Sequence, residues 1–143
     1  MGVDQGGYLT TESTQYKLVT TVIEAAISLG MYVIVDWHVS ATYTTQAVAF
    51  FTKIAKAYGS YPHILYETYN EPLALSWTSD LVPYHKKVIA AIRKYDTKNV
   101  IILGTPNWSQ VKINNNCIQF IVKRTFERTW TLPLPIQLVA TRI

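Results

Sequence analysis

Tyr66-Glu67-Thr68-Tyr69-Asn70-Glu71-Pro72 is the stretch whose reading decides the fold. It follows His63-Ile64-Leu65, a short β-like run, so Asn70 and Glu71 fall at the C-terminal end of a predicted strand. In parallel α/β folds that end of the sheet presents the chemistry. A glutamate placed there, beside an amide and ahead of a proline-fixed turn, suits a carboxyl group held for one task. Asn-Glu-Pro alone is weak, because three-residue matches are common by chance. Its weight comes from position and from a second marker upstream, Val33-Ile34-Val35-Asp36-Trp37-His38.

Working outward, the periodicity alternates between helix and strand. Thr11 to Leu29 predicts a helix with Val19, Val22, Ile23, Ala26 and Leu29 inward, and Gly30 suits its left-handed cap. Met31 to Trp37 is a continuous apolar, β-branched run of the kind covered on both faces. Thr44 to Tyr58 predicts a second helix, with Ala47, Phe51, Ile54, Ala55 and Tyr58 inward and Gly59 closing it. Strand His63–Tyr69 follows, then a helix over Leu81–Tyr95 burying Leu81, Tyr84, Val88 and Ile92, then strand Asn99–Gly104. Strand starts at 31, 63 and 99 match successive βαβ units of about 30 residues or more. Alternation alone allows a doubly wound sheet as readily as a barrel. No glycine-rich phosphate loop follows any strand, and Gly6-Gly7 lacks the dinucleotide fingerprint.

The chain has 143 residues, whereas a complete (β/α)8 barrel takes about 250. With the barrel that the family resemblance of its motifs implies, the chain reads as an internal slice of one, and Met1 as an internal methionine of a longer parent. The net charge of +4 belongs to the end of the chain. Residues 1–110 balance eight Lys/Arg against eight Asp/Glu, while residues 111–143 set Lys112, Lys123, Arg124, Arg128 and Arg142 against Glu127. Those scattered cations form no nucleic-acid recognition motif. Cys117 is the one cysteine, so no intrachain disulfide forms. No apolar run approaches the roughly 20 residues of a membrane span.

Taken in order, Gly6-Gly7-Tyr8, Tyr32 to His38, Ile64 to Glu67 with Asn70-Glu71-Pro72, Val100 to Thr105, and Trp108-Ser109-Gln110 resemble the retaining glycoside hydrolases of family 5, in the cellulase (endo-β-1,4-glucanase) branch. The resemblance covers roughly residues 1–110 and stops after Gln110. It implies an α/β fold, a partial (β/α)8 TIM barrel of about three βα units followed by an irregular tail. It also implies hydrolysis of β-1,4-glucosidic bonds in a polysaccharide by a secreted monomer, with no cofactor, metal, nucleic-acid or membrane partner. A relative acting on mannan or xylan, and a non-catalytic sugar-binding product, are the alternatives.

The resemblance assigns roles residue by residue. Glu71 is the candidate general acid/base: it must start protonated to release a poor leaving group, which calls for partial burial or a neighbouring carboxylate. Asn70 is expected to donate its amide to the sugar 2-hydroxyl, a contact that strengthens in the transition state. His38 is expected to line the subsite beside the scissile bond, with Asp36 supporting it from behind. Glu67 lies four residues before Glu71, about 13 Å along an extended strand. That is too far for a retaining pair at about 5 Å, so Glu67 reads as orienting or structural. Trp108 and Tyr8, in loops, are the candidate sugar-stacking aromatics. Trp37 and Tyr58 read as core and Trp77 stays open. His63 and His85 share no strand end and suggest no zinc site.

The resembled mechanism also needs a nucleophilic glutamate at a later strand end, and a His-Tyr pair before it. Beyond Asp96 the only acidic residue is Glu127, in Arg124-Thr125-Phe126-Glu127-Arg128-Thr129, which lacks a strand run leading into it. Residues 111–143 read as a non-homologous tail, of the sort a frameshift or an unspliced intron produces. Sequencing the transcript across the codons after Gln110 tests that origin.

Overall fold

The computed structural model describes residues 7–109 in full and, beyond them, the backbone of strand residues 112–113, 116–117, 120–122 and 138–142. Glu127 lies outside the described residues. Helix α1 (Glu12–Ser28) leads to strand β1 (Tyr32–Asp36), α2 (Thr44–Tyr58) to β2 (Ile64–Glu67), and α3 (Val82–Arg93) to β3 (Val100–Leu103). One π-helical turn, Trp77–Leu81, precedes α3. The three strands run parallel, with Asp36 paired to Glu67 and Glu67 to Ile102 at their exits. Parallel strands joined by helices bring those exits to one end of the sheet.

Local chemistry explains the joints. At the end of α1, Met31 N–H donates to Ala26 O (2.9 Å) and Gly30 N–H to Ile27 O (3.0 Å), with Gly30 at φ 68°. This is the two-bond Schellman closure, and the left-handed position is the one a glycine takes without strain. Gly59 works differently. Its φ is −63°, but a β-carbon there would lie 2.4 Å from Ala55 O and 2.7 Å from Asp96 Cβ. The missing side chain makes room for the turn before β3, where buried Asp96 accepts from Tyr66 OH, Lys98 N–H and Asn99 N–H.

The core lies between the sheet and the three helices. Val33, Val35, Ile64, Tyr66 and Ile101 from the strands meet Ile23, Phe50, Phe51, Ile54, Val88 and Ile92 from the helices. Each such side chain contributes about 1.5–3 kcal/mol when fully buried. The inward stripe of α1 is narrower than expected: Val19, Ile23 and Ala26 are buried, while Val22 and Leu29 face outward. Phe50, not expected inside, is fully buried.

The tail contributes strands of its own. β4 (Lys112–Ile113) and β5 (Asn116–Cys117) form an antiparallel ribbon. β6 (Phe120–Val122) adds antiparallel to β3, and β7 (Leu138–Arg142) adds parallel to β1, giving the order β6-β3-β2-β1-β7. The three parallel strands expected from the sequence are present, and two strands from beyond residue 110 extend them to a sheet of five. Unsatisfied N–H and C=O groups along β1 and β3 template further pairing, and chain from the tail meets that demand.

Candidate functional site

The exits of β1, β2 and β3 are tied to one another by backbone hydrogen bonds beyond the regular ladder. Trp37 N–H donates to Glu67 O (3.0 Å), Asn70 N–H to Trp37 O (3.3 Å), and Thr68 N–H to Ile102 O (3.1 Å). His38, next after Trp37, therefore stands beside the Asn70-Glu71 turn. Asp36 is 2% exposed, and its Oδ2 accepts from Nδ1–H of His38 at 3.1 Å. That bond holds the ring with Nε2 on the side away from Asp36, in a side chain that stays about a third exposed. The supporting position expected for Asp36 is the one it occupies.

Asn70 is half-buried, Glu71 is exposed, and Pro72 is buried. The burial expected around the Glu71 carboxyl is not supplied by the described residues. The turn itself is closely held. Gly104, just past β3, abuts it so tightly that a β-carbon would lie 2.1 Å from Tyr69 O, 2.8 Å from Pro72 Cδ and 3.1 Å from Asn70 O. On the far side comes a left-handed turn, Asn107, Trp108 and Ser109, at φ 56°, 57° and 58°. Left-handed backbone costs a non-glycine residue about 1–2 kcal/mol, so something must hold it. Asn107 N–H donates to Leu73 O (3.0 Å), Trp108 N–H to Pro72 O (3.0 Å), and Ser109 N–H to Thr105 O (2.9 Å). Ser109 Oγ accepts from Thr105 N–H and donates to Asn70 O, each at 3.2 Å. The loop is thereby fixed to the glutamate turn with the Trp108 side chain left 55% exposed.

Tyr8 requires a correction. Expected as a loop aromatic open to a sugar, it is 3% exposed, with edge contacts to Trp37 (5.7 Å) and Phe50 (5.1 Å). Its hydroxyl donates to Glu12 at 3.1 Å. A side chain this enclosed has no open ring face for stacking. Trp37 is core as expected, and Trp77 lies partly buried with its ring 5.9 Å from that of His85. Sequence reasoning gave no role to Gly104, Ser109, Thr68 or His85, although the first three lie within the motifs quoted above; nothing local signalled His85. No group of three or more His, Cys, Asp or Glu side chains is arranged to hold a metal ion among the described residues.

Successive exits of the parallel strands β1, β2 and β3 carry His38, Asn70-Glu71 and the exposed Trp108. Residues 2–125 match the cellulase family, glycosyl hydrolase family 5. The chain is 44% identical over 113 residues to endoglucanase Z of Dickeya dadantii and 41% identical over 116 residues to an endoglucanase of Clostridium saccharobutylicum. These matches cover 77% of this chain and 26% of each of those proteins, so the chain spans about a quarter of their length. Among solved structures, a protein from Cytophaga hutchinsonii superposes with a TM-score of 0.75 at 48% identity. The catalytic domain of Thermobifida fusca endoglucanase Cel5A superposes at 0.73 with 36% identity, as does a substituted form of it in complex with cellotetraose. Each covers 77% of this chain and 37% of the solved chain. The chain belongs to glycosyl hydrolase family 5.

Proposed function

We propose that residues 7–109 carry the acid/base half of a site that hydrolyses β-1,4-glucosidic bonds with retention. Glu71 serves as general acid and then base, Asn70 binds the sugar 2-hydroxyl, His38 lines the subsite at the cleavage point, and Trp108 offers its face to a pyranose ring. The observation that carries this reading is the stitching of the Asn70-Glu71-Pro72 turn to Trp37 on one side and to the Trp108 loop on the other. Four groups of complementary use are brought to the exits of three adjacent strands. The β-1,4-glucan preference rests on the endoglucanase relatives, and secretion as a monomer on the family resemblance alone. Among the described residues no helix is long and apolar enough to cross a membrane.

Retention needs a second carboxyl about 5 Å from the first. Asp36 is hydrogen-bonded to His38, and Glu67 ends β2 with Thr68 and Tyr69 between it and the turn. Neither fits the nucleophile's place among the described residues, and the 143-residue chain by itself is expected to bind glucan without cutting it. The test uses purified chain and its Glu71→Gln variant, with carboxymethyl-cellulose for turnover and cellotetraose for binding. Binding with no turnover is expected. Turnover that disappears in the variant overturns the inactivity, absence of cellotetraose binding overturns the sugar site, and turnover on mannan or xylan instead reassigns the substrate.

A further inference from the structure

His85 projects from α3 toward the sheet and is 2% exposed. Both ring nitrogens are used, and each reaches a different strand exit. Nε2 lies 3.0 Å from Gly104 O, after β3, and Nδ1 lies 2.9 Å from Thr68 Oγ1, after β2. A carbonyl can only accept, so Nε2 carries the proton. Burial holds the ring neutral, so Nδ1 is bare and must receive the Thr68 hydroxyl proton. Thr68 Oγ1 also lies 3.2 Å from Ile102 O, so its one proton is shared between two acceptors, of which the imidazole nitrogen at 2.9 Å is the nearer. The Ile102 carbonyl keeps the Thr68 N–H, so the hydroxyl can turn to the imidazole without leaving it unpaired. Neighbouring Tyr84 donates its hydroxyl to Thr68 O, so two consecutive residues of α3 grip one residue of β2's exit.

These contacts close a circuit. Thr68 connects to His85, His85 to Gly104, Thr105 to Ser109, and Ser109 back to Asn70. Thr68 and Asn70 are two residues apart, and Gly104 rests on the backbone between Tyr69 and Asn70. Helix α3 does not need the histidine for anchorage, since Leu81, Val88 and Ile92 are all fully buried along it. An apolar side chain would fill the same space without tying two strands together.

We propose that His85 is a positioning residue: by bonding the exits of β2 and β3 at once, it fixes where Glu71 and Trp108 stand relative to each other. The inference rests on the reading of those two residues as proton donor and sugar platform. His85 is 2% exposed, with the Trp77 ring centred 5.9 Å from its own, so both bonds are buried. Buried, satisfied polar links of this kind hold geometry that apolar contact leaves free to slide.

The test is nuclear magnetic resonance on the intact 143-residue chain, followed by cellotetraose titration. In the unaltered chain the ring nitrogen signals should report the Nε2–H tautomer; an Nδ1–H tautomer overturns the assignment. His85→Phe keeps volume and removes both bonds, and Val88→Ala, one turn along α3, is the control for general loosening. His85→Phe should displace the amide signals of Asn70 and Glu71 and the indole signal of Trp108, well beyond any change in the control. Changes confined to α3 overturn the proposal. Should His85→Phe fail to fold, Thr68→Val decides: it should move the same signals, while Thr68→Ser, which keeps the hydroxyl, should restore them. Cellotetraose affinity should fall about tenfold in Thr68→Val and recover in Thr68→Ser, in line with the cost of small misplacements at such sites. Normal affinity in Thr68→Val together with displaced signals also overturns the proposal. If the unaltered chain binds no cellotetraose, the sugar-site reading fails, and the signal displacements still judge His85.

Discussion

Gly104 and Tyr69 touch backbone to backbone: a β-carbon on Gly104 would sit 2.1 Å from the Tyr69 carbonyl oxygen. The exit of β3 thereby supports the glutamate turn directly, with no side chain between them. Gly104→Ala forces apart two segments that hydrogen bonds on both sides hold together. Overpacking of this kind costs roughly 1–3 kcal/mol, and the upper end is expected because the obstructing atom is backbone. Chemical denaturation should show a lower midpoint at unchanged slope. A neutral Gly104→Ala would mean that the two strand exits stand further apart than described.

Trp108→Ala should leave stability within about 0.5 kcal/mol, since the side chain is 55% exposed and its loop is held through backbone atoms. Oligosaccharide binding should weaken by roughly 1–3 kcal/mol through lost apolar contact. Calorimetric titration with cello-oligosaccharides of increasing length checks this. Equal effects on short and long ligands, or none, assign Trp108 to packing instead.

His85 gives the fold an acid limit. Burial, opposed only in part by the Gly104 carbonyl, pushes its imidazole down to about 4 from an ordinary value of 6.5. The unfolded chain therefore takes up a proton near pH 6.5 that the folded chain refuses until about pH 4. Because the unfolded state binds more protons in this window, stability is full above pH 6.5 and declines as pH falls. The loss should be on the order of 3 kcal/mol by pH 4. Unfolding midpoints measured across that range should slope downward toward acid, and a folded His85→Phe variant should flatten the slope. Parallel slopes for the two proteins would show that other groups set the acid limit.

Much of this fold was legible before any coordinates, for local reasons. α2 was placed at its observed bounds because its apolar spacing is strongly helical, and Gly30 marked the end of α1 through a backbone position that glycine takes readily. The strand exits were legible because rare residues cluster there. What escaped was tertiary. Tyr8 sits in a loop, which suggested exposure, yet Trp37 and Phe50 enclose it. Val22 and Leu29 are as apolar as the buried residues of α1 but turn away from the sheet. His85 lies among core positions of α3, and its partners Thr68 and Gly104 are 17 and 19 residues away, so no local pattern records the bond. The left-handed backbone at Trp108 runs against the preference of the residue itself; the carbonyls of Pro72 and Leu73 impose it.

Glu71→Gln keeps the shape of the side chain and removes its acidic proton. The variant is best read in a chimera, with residues 7–109 replacing the matching stretch of the Dickeya endoglucanase. Sequence identity of 44% makes the exchange conservative and supplies the remainder of a barrel. Positioned proton transfer is typically worth about 10² to 10⁴ in rate, so cellulose hydrolysis should fall by that factor. An aryl glycoside with an activated leaving group departs without much acid help, and its first step should suffer far less. The pair of substrates separates a chemical role from damage to the turn, because a misplaced strand exit would slow both alike. Denaturation midpoints should stay close to those of the parent chimera, since Glu71 is exposed. Near-normal turnover of cellulose would remove Glu71 from the acid/base role and return the Asn-Glu-Pro turn to a purely structural reading.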